Sequence, residues 1–191
     1  MNSEEARESI LDAAEALYYA KGYAAVGMDE LRAAAGVSLK RVYSQFASKD
    51  DIIKAVLGRK HDEWERMIGD AVGSAGDDPR ARLLAVYGFL ETWFGADDFR
   101  GCAFINAFGE LGGTSPEIAQ IVRAHKTSFQ QYMAGLVAEI GAPEALAAQL
   151  SILAEGAQST AAIAADPEVA GQARAAATVL IDAAVGRPIA T

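Results

Sequence analysis

The chain is 191 residues long and half apolar, enough to bury a core in one domain or two small ones. Its formal charge of −9 argues against a polyanion-binding surface spread over the whole molecule. The acidic start Glu4, Glu5, Glu8 is the reverse of a secretory leader, and no run of about 18 uncharged apolar residues is present, so a cytoplasmic protein with no membrane partner is expected. A single cysteine, Cys102, excludes an internal disulfide framework and a zinc site of several thiolates, and reads as a small buried hydrophobe.

Helix signals recur from end to end, and no stretch alternates long enough for a strand, so the fold class is all-α, with about nine helices. Asn2 or Ser3 caps a first helix with the stripe Ile10, Ala14, Leu17, Tyr18, and Lys21-Gly22 ends it. Met28 to Ala35 forms a second helix with Asp29 and Glu30 in its first turn, and Gly36 fits the position just past its end, where a left-handed backbone favours glycine. Ser38 caps a third helix on which Val42 and Phe46 share the core face, while Lys40, Arg41, Tyr43 and Ser44 point elsewhere. Helix, glycine turn and basic helix together spell a helix-turn-helix, and the outward face suits a DNA groove.

Ser48 with Asp51 resembles a capping box and opens a long helix through Ile52, Val56, Trp64 and Met67, with the break expected over Gly69 to Gly76. Asp78-Pro79 starts a helix carrying Leu83, Tyr87, Leu90 and Phe94, stopped between Gly95 and Gly101. A short segment from Cys102 to Leu111 follows, and Ser115-Pro116-Glu117 opens a helix running toward Gly141. Pro143 and Asp166-Pro167 open the last two helices, and Gly186-Arg187-Pro188 closes the fold. Residues 142–185 hold 17 alanines among 44, small side chains that let these helices pack against a wide, flat partner.

Charge is uneven along the chain. Residues 1–60 carry nine Lys/Arg and nine Asp/Glu, the remainder eight and seventeen, and the window Leu31 to Lys49 holds Arg32, Lys40, Arg41 and Lys49 with no acid. Local positive charge of this kind binds a phosphate backbone that the remainder repels.

The set Ile10-Leu11-Asp12-Ala13-Ala14, Gly22-Tyr23, Met28, Leu31, Ala35-Gly36-Val37-Ser38, Val42-Tyr43, Phe46 and Ser48-Lys49-Asp50 resembles the TetR/AcrR family of one-component transcription regulators. The match is close over the first sixty or so residues and architectural beyond them. The sequence departs from that pattern at Val26 and Gly27, where hydroxyl residues that cap the second helix are usual, at Arg32, usually alanine, at Lys40 and Arg41, usually small, and at Gln45, where His or Tyr is common. The resemblance implies a DNA-binding domain over 1–48 and a helical effector-binding and dimerisation domain over 49–191.

On this reading the third helix enters the major groove by its N-terminal half, Ser38 and Leu39 included, with Arg41 the better bidentate partner for guanine and Lys40 for base or phosphate. Tyr43, Ser44, Lys49 and Arg32 complete the DNA-facing set, Tyr43 and Lys49 as phosphate contacts by resemblance. A single helix-turn-helix buries too little surface for a specific site, so a homodimer through the last two helices and an inverted-repeat operator in double-stranded DNA are expected. Leu146, Leu150, Leu153, Ile163, Val169, Val179, Leu180 and Ile181 are its candidate apolar contacts.

The middle helices concentrate aromatic residues, and the resemblance implies that such residues line an effector pocket. Trp64, Tyr87, Trp93, Phe104, Phe108 and Phe129 are the apolar candidates, with Asn106, Glu110 and His125 as polar groups among them, a composition suited to a small hydrophobic or amphipathic molecule. No cofactor or metal is implied. The expected function is that of a ligand-released repressor acting by population shift between two dimer states. The competing classes are an all-α enzyme, for which the pairs Asp50-Asp51, Asp77-Asp78 and Asp97-Asp98 are the best support, and a helical adaptor that keeps the fold without DNA function. The acidic pairs sit at helix starts or in loops, where capping accounts for them, and no His-Glu-x-x-His, phosphate loop or nucleophile elbow is present.

Overall fold

A computed structural model describes residues 1–186 and, among them, nine helices and no strand. In chain order these are α1 (Ser3–Lys21), α2 (Met28–Ala34), α3 (Leu39–Gln45), α4 (Lys49–Gly73), α5 (Pro79–Phe94), α6 (Ala103–Leu111), α7 (Pro116–Glu139), α8 (Ala145–Ala164) and α9 (Val169–Ala184). The chain forms two compact units: Met1–Asp62 with Ala103–Ala124, and Glu63–Cys102 with the chain from His125 onward. Helices α4 and α7 each supply residues to both.

In the first unit, α1, α2 and α3 pack on one another. Asn2 caps α1 through a full capping box: its side chain accepts from the Glu5 N–H, and the Glu5 carboxylate accepts from the Asn2 N–H. The α2–α3 turn is a Schellman closure. Val37 N–H returns to the Arg32 carbonyl and Gly36 N–H to that of Ala33, with Gly36 at φ +65. Helix α2 has Gly27 at its N-cap and no side-chain cap, as the missing hydroxyls implied. Its seven residues are held by packing of Leu31, fully buried, rather than by propensity.

Ser38 caps α3 by accepting from the Arg41 N–H at 3.2 Å. Val42 is buried on α3, and Phe46, also buried, lies just past its end with its N–H on the Val42 carbonyl. Ser48 forms half of the expected box: its hydroxyl accepts from the Asp51 N–H at 3.1 Å and donates to the Asp51 carboxylate at 2.8 Å. Hydrogen bonds from Lys54 and then Ser48 lower the Asp51 carboxyl below its ordinary range. Arg59 on α4 reaches α1, donating to Asp12 at 2.7 Å and Glu15 at 2.6 Å, and Lys60 also pairs with Glu15.

The break expected over Gly69 to Gly76 falls at Gly73. Helix α4 runs through Gly69, because one interior glycine costs only about 1 kcal/mol and Ile68 and Val72, both buried, carry the apolar stripe across. Arg187 and Pro188, expected to close the fold, lie outside the described residues.

The second unit is built on α5, α8 and α9, which pack pairwise. Asp78 caps α5 and Pro79 opens it, and Leu83, Val86, Tyr87 and Leu90 are buried along its face. Ala154, Ala157 and Ala161 of α8, with Ala170, Ala173 and Ala177 of α9, form buried stripes at three- and four-residue spacing. Much of the alanine content therefore serves close packing within this unit. Arg80 clamps Asp182 through two parallel bonds of 2.7 and 2.8 Å, a fork that fixes α5 against α9.

Candidate nucleic-acid interface and effector-binding residues

The buried pair Val42 and Phe46 turns the opposite side of α3 outward. Lys40 is exposed and makes no ion pair or hydrogen bond among the described residues, and Tyr43 is 50% exposed. Ser44 is exposed, its hydroxyl donating to the Arg41 carbonyl at 2.7 Å. Lys40, Tyr43 and Ser44 thus share one face at three- and four-residue spacing. Leu39 is half-buried, and the Ser38 hydroxyl is engaged as the cap.

The other candidates are tied down. Arg32 donates through Nε to Asp29 at 2.8 Å. Lys49 donates to the Ala24 carbonyl at 3.3 Å, with its ammonium 6.0 Å from the centre of the Tyr18 ring. Arg41 is half-buried, and its guanidinium donates to the carbonyls of Asn2 at 2.7 Å and Met1 at 3.4 Å.

Three hydrogen bonds attach α6 to the turn between α1 and α2. Glu110 accepts from the N–H groups of Tyr23 and Ala24 at 3.1 and 2.7 Å, and the Tyr23 hydroxyl donates to the Ala103 carbonyl at 3.1 Å. Glycine is required at the adjoining position: Gly22 has φ +90, and a Cβ there would stand 2.8 Å from a Glu110 oxygen. Glu110, read from the sequence as a polar group of the effector pocket, has its carboxylate aimed at two backbone donors of the α1–α2 turn. Tyr18 stacks on Tyr23 at 5.3 Å between ring centres, and its buried hydroxyl has no hydrogen-bond partner. Burial, then the Asp50 charge, pushes that phenol well above its ordinary range.

The aromatic candidates fall into separate groups. In the second unit Trp64 meets both His125 and Phe129 edge-on, each at 5.2 Å, and His125 and Phe129 are buried. Trp93 packs with Phe89, Phe94 and Phe99, and Tyr87 is buried with its hydroxyl on the Leu150 carbonyl at 2.8 Å. In the first unit Phe104 is buried, Asn106 is half-buried, and Phe108 is 44% exposed with the Arg123 guanidinium 5.9 Å from its ring centre.

Of the candidate dimer contacts, Leu146, Leu150 and Ile181 are buried within the unit, Leu153, Val169 and Leu180 are half-buried, and Ile163 and Val179 are exposed. Ile152, 70% exposed and three helical turns before Ile163, is a further exposed apolar residue of α8, at the spacing Ile152, Gly156, Ser159, Ile163.

Residues 10–56 match the family model described as bacterial regulatory proteins, tetR family. A TetR-family transcriptional regulator from Streptomyces coelicolor has the same fold at TM-score 0.89, with 29% identity over 95% of this chain and 90% of that one. A structure described as a TetR transcriptional regulator from Streptomyces avermitilis gives TM-score 0.80 and 32% identity over 94% and 97% of the two chains. The HTH-type transcriptional activator FasR of Mycolicibacterium smegmatis is 32% identical over 120 residues, 63% of this chain, and that match spans only about half of FasR, 53% of its length. Identity at this level over nearly the whole of a solved relative, around a helix-turn-helix whose outward face carries Lys40, makes the chain a member of the TetR family of transcriptional regulators.

Proposed function

We propose that the protein is a dimeric repressor that binds an inverted-repeat operator and is released by a small hydrophobic or amphipathic effector. The observation that carries it is the face of α3 formed by Lys40, Tyr43 and Ser44, outward and free of acidic partners, on a helix fixed from behind by Val42. The N-terminal half of α3, from Ser38 and Leu39, enters the major groove, with Lys40 at base edges or phosphate and Tyr43, Ser44, Lys49 and Arg32 toward the backbone. Residues 1–48 form the DNA-binding part, and 49–191 the effector-binding and dimerisation part.

The exposed faces of α8 and α9, with Ile152, Gly156 and Ile163 on one and Ala176, Val179 and Ala183 on the other, support dimerisation through those helices. Trp64, His125 and Phe129 form the aromatic group best suited to receive an effector, ahead of Tyr87, Trp93, Phe104 and Asn106, and Phe108 is the least suited because of its exposure.

The test is binding of the purified protein to the DNA beside its own gene across a salt series, with Lys40→Ala as the comparison. Affinity in the range of about 10 nM or tighter, lost in the variant, supports the proposal; equal binding to random DNA refutes it. The similarity to FasR, an activator, favours one second reading, activation from the same operator. A reporter driven from that promoter separates the two by the sign of its change when the gene is deleted.

A further inference from the structure

We propose that Arg41 is a positioning residue that holds the recognition helix against the start of α1, and that it does not read bases. The inference rests on the assignment of α3 as the DNA-reading helix.

Arg41 and Gln45 are four residues apart on α3, hence on one face, and both face the first turn of α1. The Arg41 guanidinium donates to the carbonyls of Asn2 and Met1, at 2.7 and 3.4 Å, while the Gln45 amide donates to the Ser3 hydroxyl at 2.9 Å. Arg7, one turn into α1, donates to the Gln45 carbonyl at 3.4 Å and lies 4.3 Å over the Phe46 ring. Residues 1–3 and 7 are thereby fastened to 41, 45 and 46. The Asn2 carbonyl already accepts the Ala6 N–H, so the guanidinium occupies its second lone pair and reinforces the N-cap.

To reach a guanine edge Arg41 would have to give up the 2.7 Å bond and leave the start of α1 unbraced. Lys40, Tyr43 and Ser44, on the other face, need no such rearrangement. The division of labour follows from the 100° between successive residues of a helix: Lys40 faces outward, and Arg41 lies along α1.

The experiment combines amide hydrogen exchange of the DNA-free protein with selection of binding sites from a random DNA pool, for the wild type, Arg41→Ala, Arg41→Lys and Lys40→Ala. In Arg41→Ala the amides of Glu5 and Ala6, which bond to Asn2, should exchange about tenfold faster. Affinity for the selected operator should fall about tenfold, with base preference unchanged at every position. Arg41→Lys, which keeps one donor but loses the guanine-matching fork, should recover most of both losses. Lys40→Ala should alter base preference and leave the exchange as in wild type. Unchanged exchange in Arg41→Ala, or a preference at one operator base pair that collapses in that variant and is not recovered by Arg41→Lys, would overturn the proposal. Should Arg41→Ala not fold, Arg41→Gln takes its place in both arms. If the wild type enriches no site at all, the DNA reading of α3 has failed, and the exchange arm still decides whether Arg41 braces α1.

Discussion

Replacing Glu110 by alanine removes a carboxylate that accepts two backbone N–H groups from the α1–α2 turn, at 3.1 and 2.7 Å. A hydrogen bond to a charged group contributes about 1.5–3 kcal/mol when buried, but the Glu110 side chain is exposed, and solvent screening reduces each bond to about 1 kcal/mol. The Tyr23 residue is buried, so its N–H loses an acceptor that water replaces poorly, whereas Ala24 is exposed and finds water. The expected loss is about 2 kcal/mol, or a melting temperature lowered by about 4–8 °C for a chain of this size. Glu110→Gln keeps one uncharged acceptor oxygen and should lose about half as much.

Gly22→Ala should destabilise as well, through its positive φ and through the 2.8 Å approach to Glu110. Combined with Glu110→Ala it should cost less than the two single changes added, because the clash is gone while the backbone strain remains. Thermal melts of the four proteins, with operator affinity measured on each, form the assay. A Glu110→Ala protein that melts within about 1 °C of wild type, or additive effects in the cycle, would refute the clamp.

Two buried tyrosines should respond oppositely to loss of their hydroxyls. Tyr87→Phe forfeits the bond to the Leu150 carbonyl and should lower stability by about 1 kcal/mol, whereas Tyr18→Phe removes an unpartnered hydroxyl and should be neutral or stabilising; urea melts of both check it. The Glu15 carboxyl, although burial alone would raise it, is held below its ordinary value near 4.5 by hydrogen bonds from Lys60 and Arg59. Its contribution to stability is therefore fully present above that value and lost as the pH falls through the lowered one, so Glu15→Gln should flatten the acid limb of a pH–stability curve below about pH 4.5. Ile163→Glu, at a side chain 88% exposed on α8, should convert the proposed dimer to monomer in sedimentation without lowering the monomer's secondary structure; an unchanged dimer would exclude that face.

What the sequence could reveal here is what repeats or acts locally. Gly36 and Ser38 mark the α2–α3 turn because a left-handed C′ residue and an N-cap hydroxyl are demands of backbone geometry within a few residues. The buried faces of α1, α4 and α5 follow from three- and four-residue spacing. Glu110 was assigned to the wrong surroundings because a carboxylate whose partners lie 86 and 87 residues away leaves no periodic trace. Within the stretch Gly69 to Gly76 the helix stops at Gly73 rather than at Gly69, since one glycine is a weak stop when the apolar stripe continues through it. Arg41 and Lys40 are indistinguishable in composition, and only the path of α1 separates their surroundings.

The acidic charge of the chain and its DNA-binding assignment are reconciled by which cations have acidic partners. In residues 1–60, Lys21 pairs with Glu30, Arg32 with Asp29, Lys54 with Asp51, and Arg59 and Lys60 with Glu15. Arg7, Lys40, Arg41 and Lys49 have no carboxylate partner among the described residues: Arg7 lies over Phe46, Arg41 and Lys49 are bound to backbone carbonyls, and Lys40 is unbound. Within residues 1–60, uncompensated positive charge is thus found on α3, its neighbour on α1 and the start of α4. A cation that neutralises one phosphate adds about 0.9 to the slope of log affinity against log salt. Lys40→Gln and Lys49→Gln should then each lower that slope by about 1.8 for a dimer, while Arg59→Gln, whose charge is spent on Asp12 and Glu15, should leave it unchanged. Equal reductions in all three variants would mean that the slope reports the net charge of the protein, and the assignment of the phosphate contacts to α3 and the start of α4 would fall.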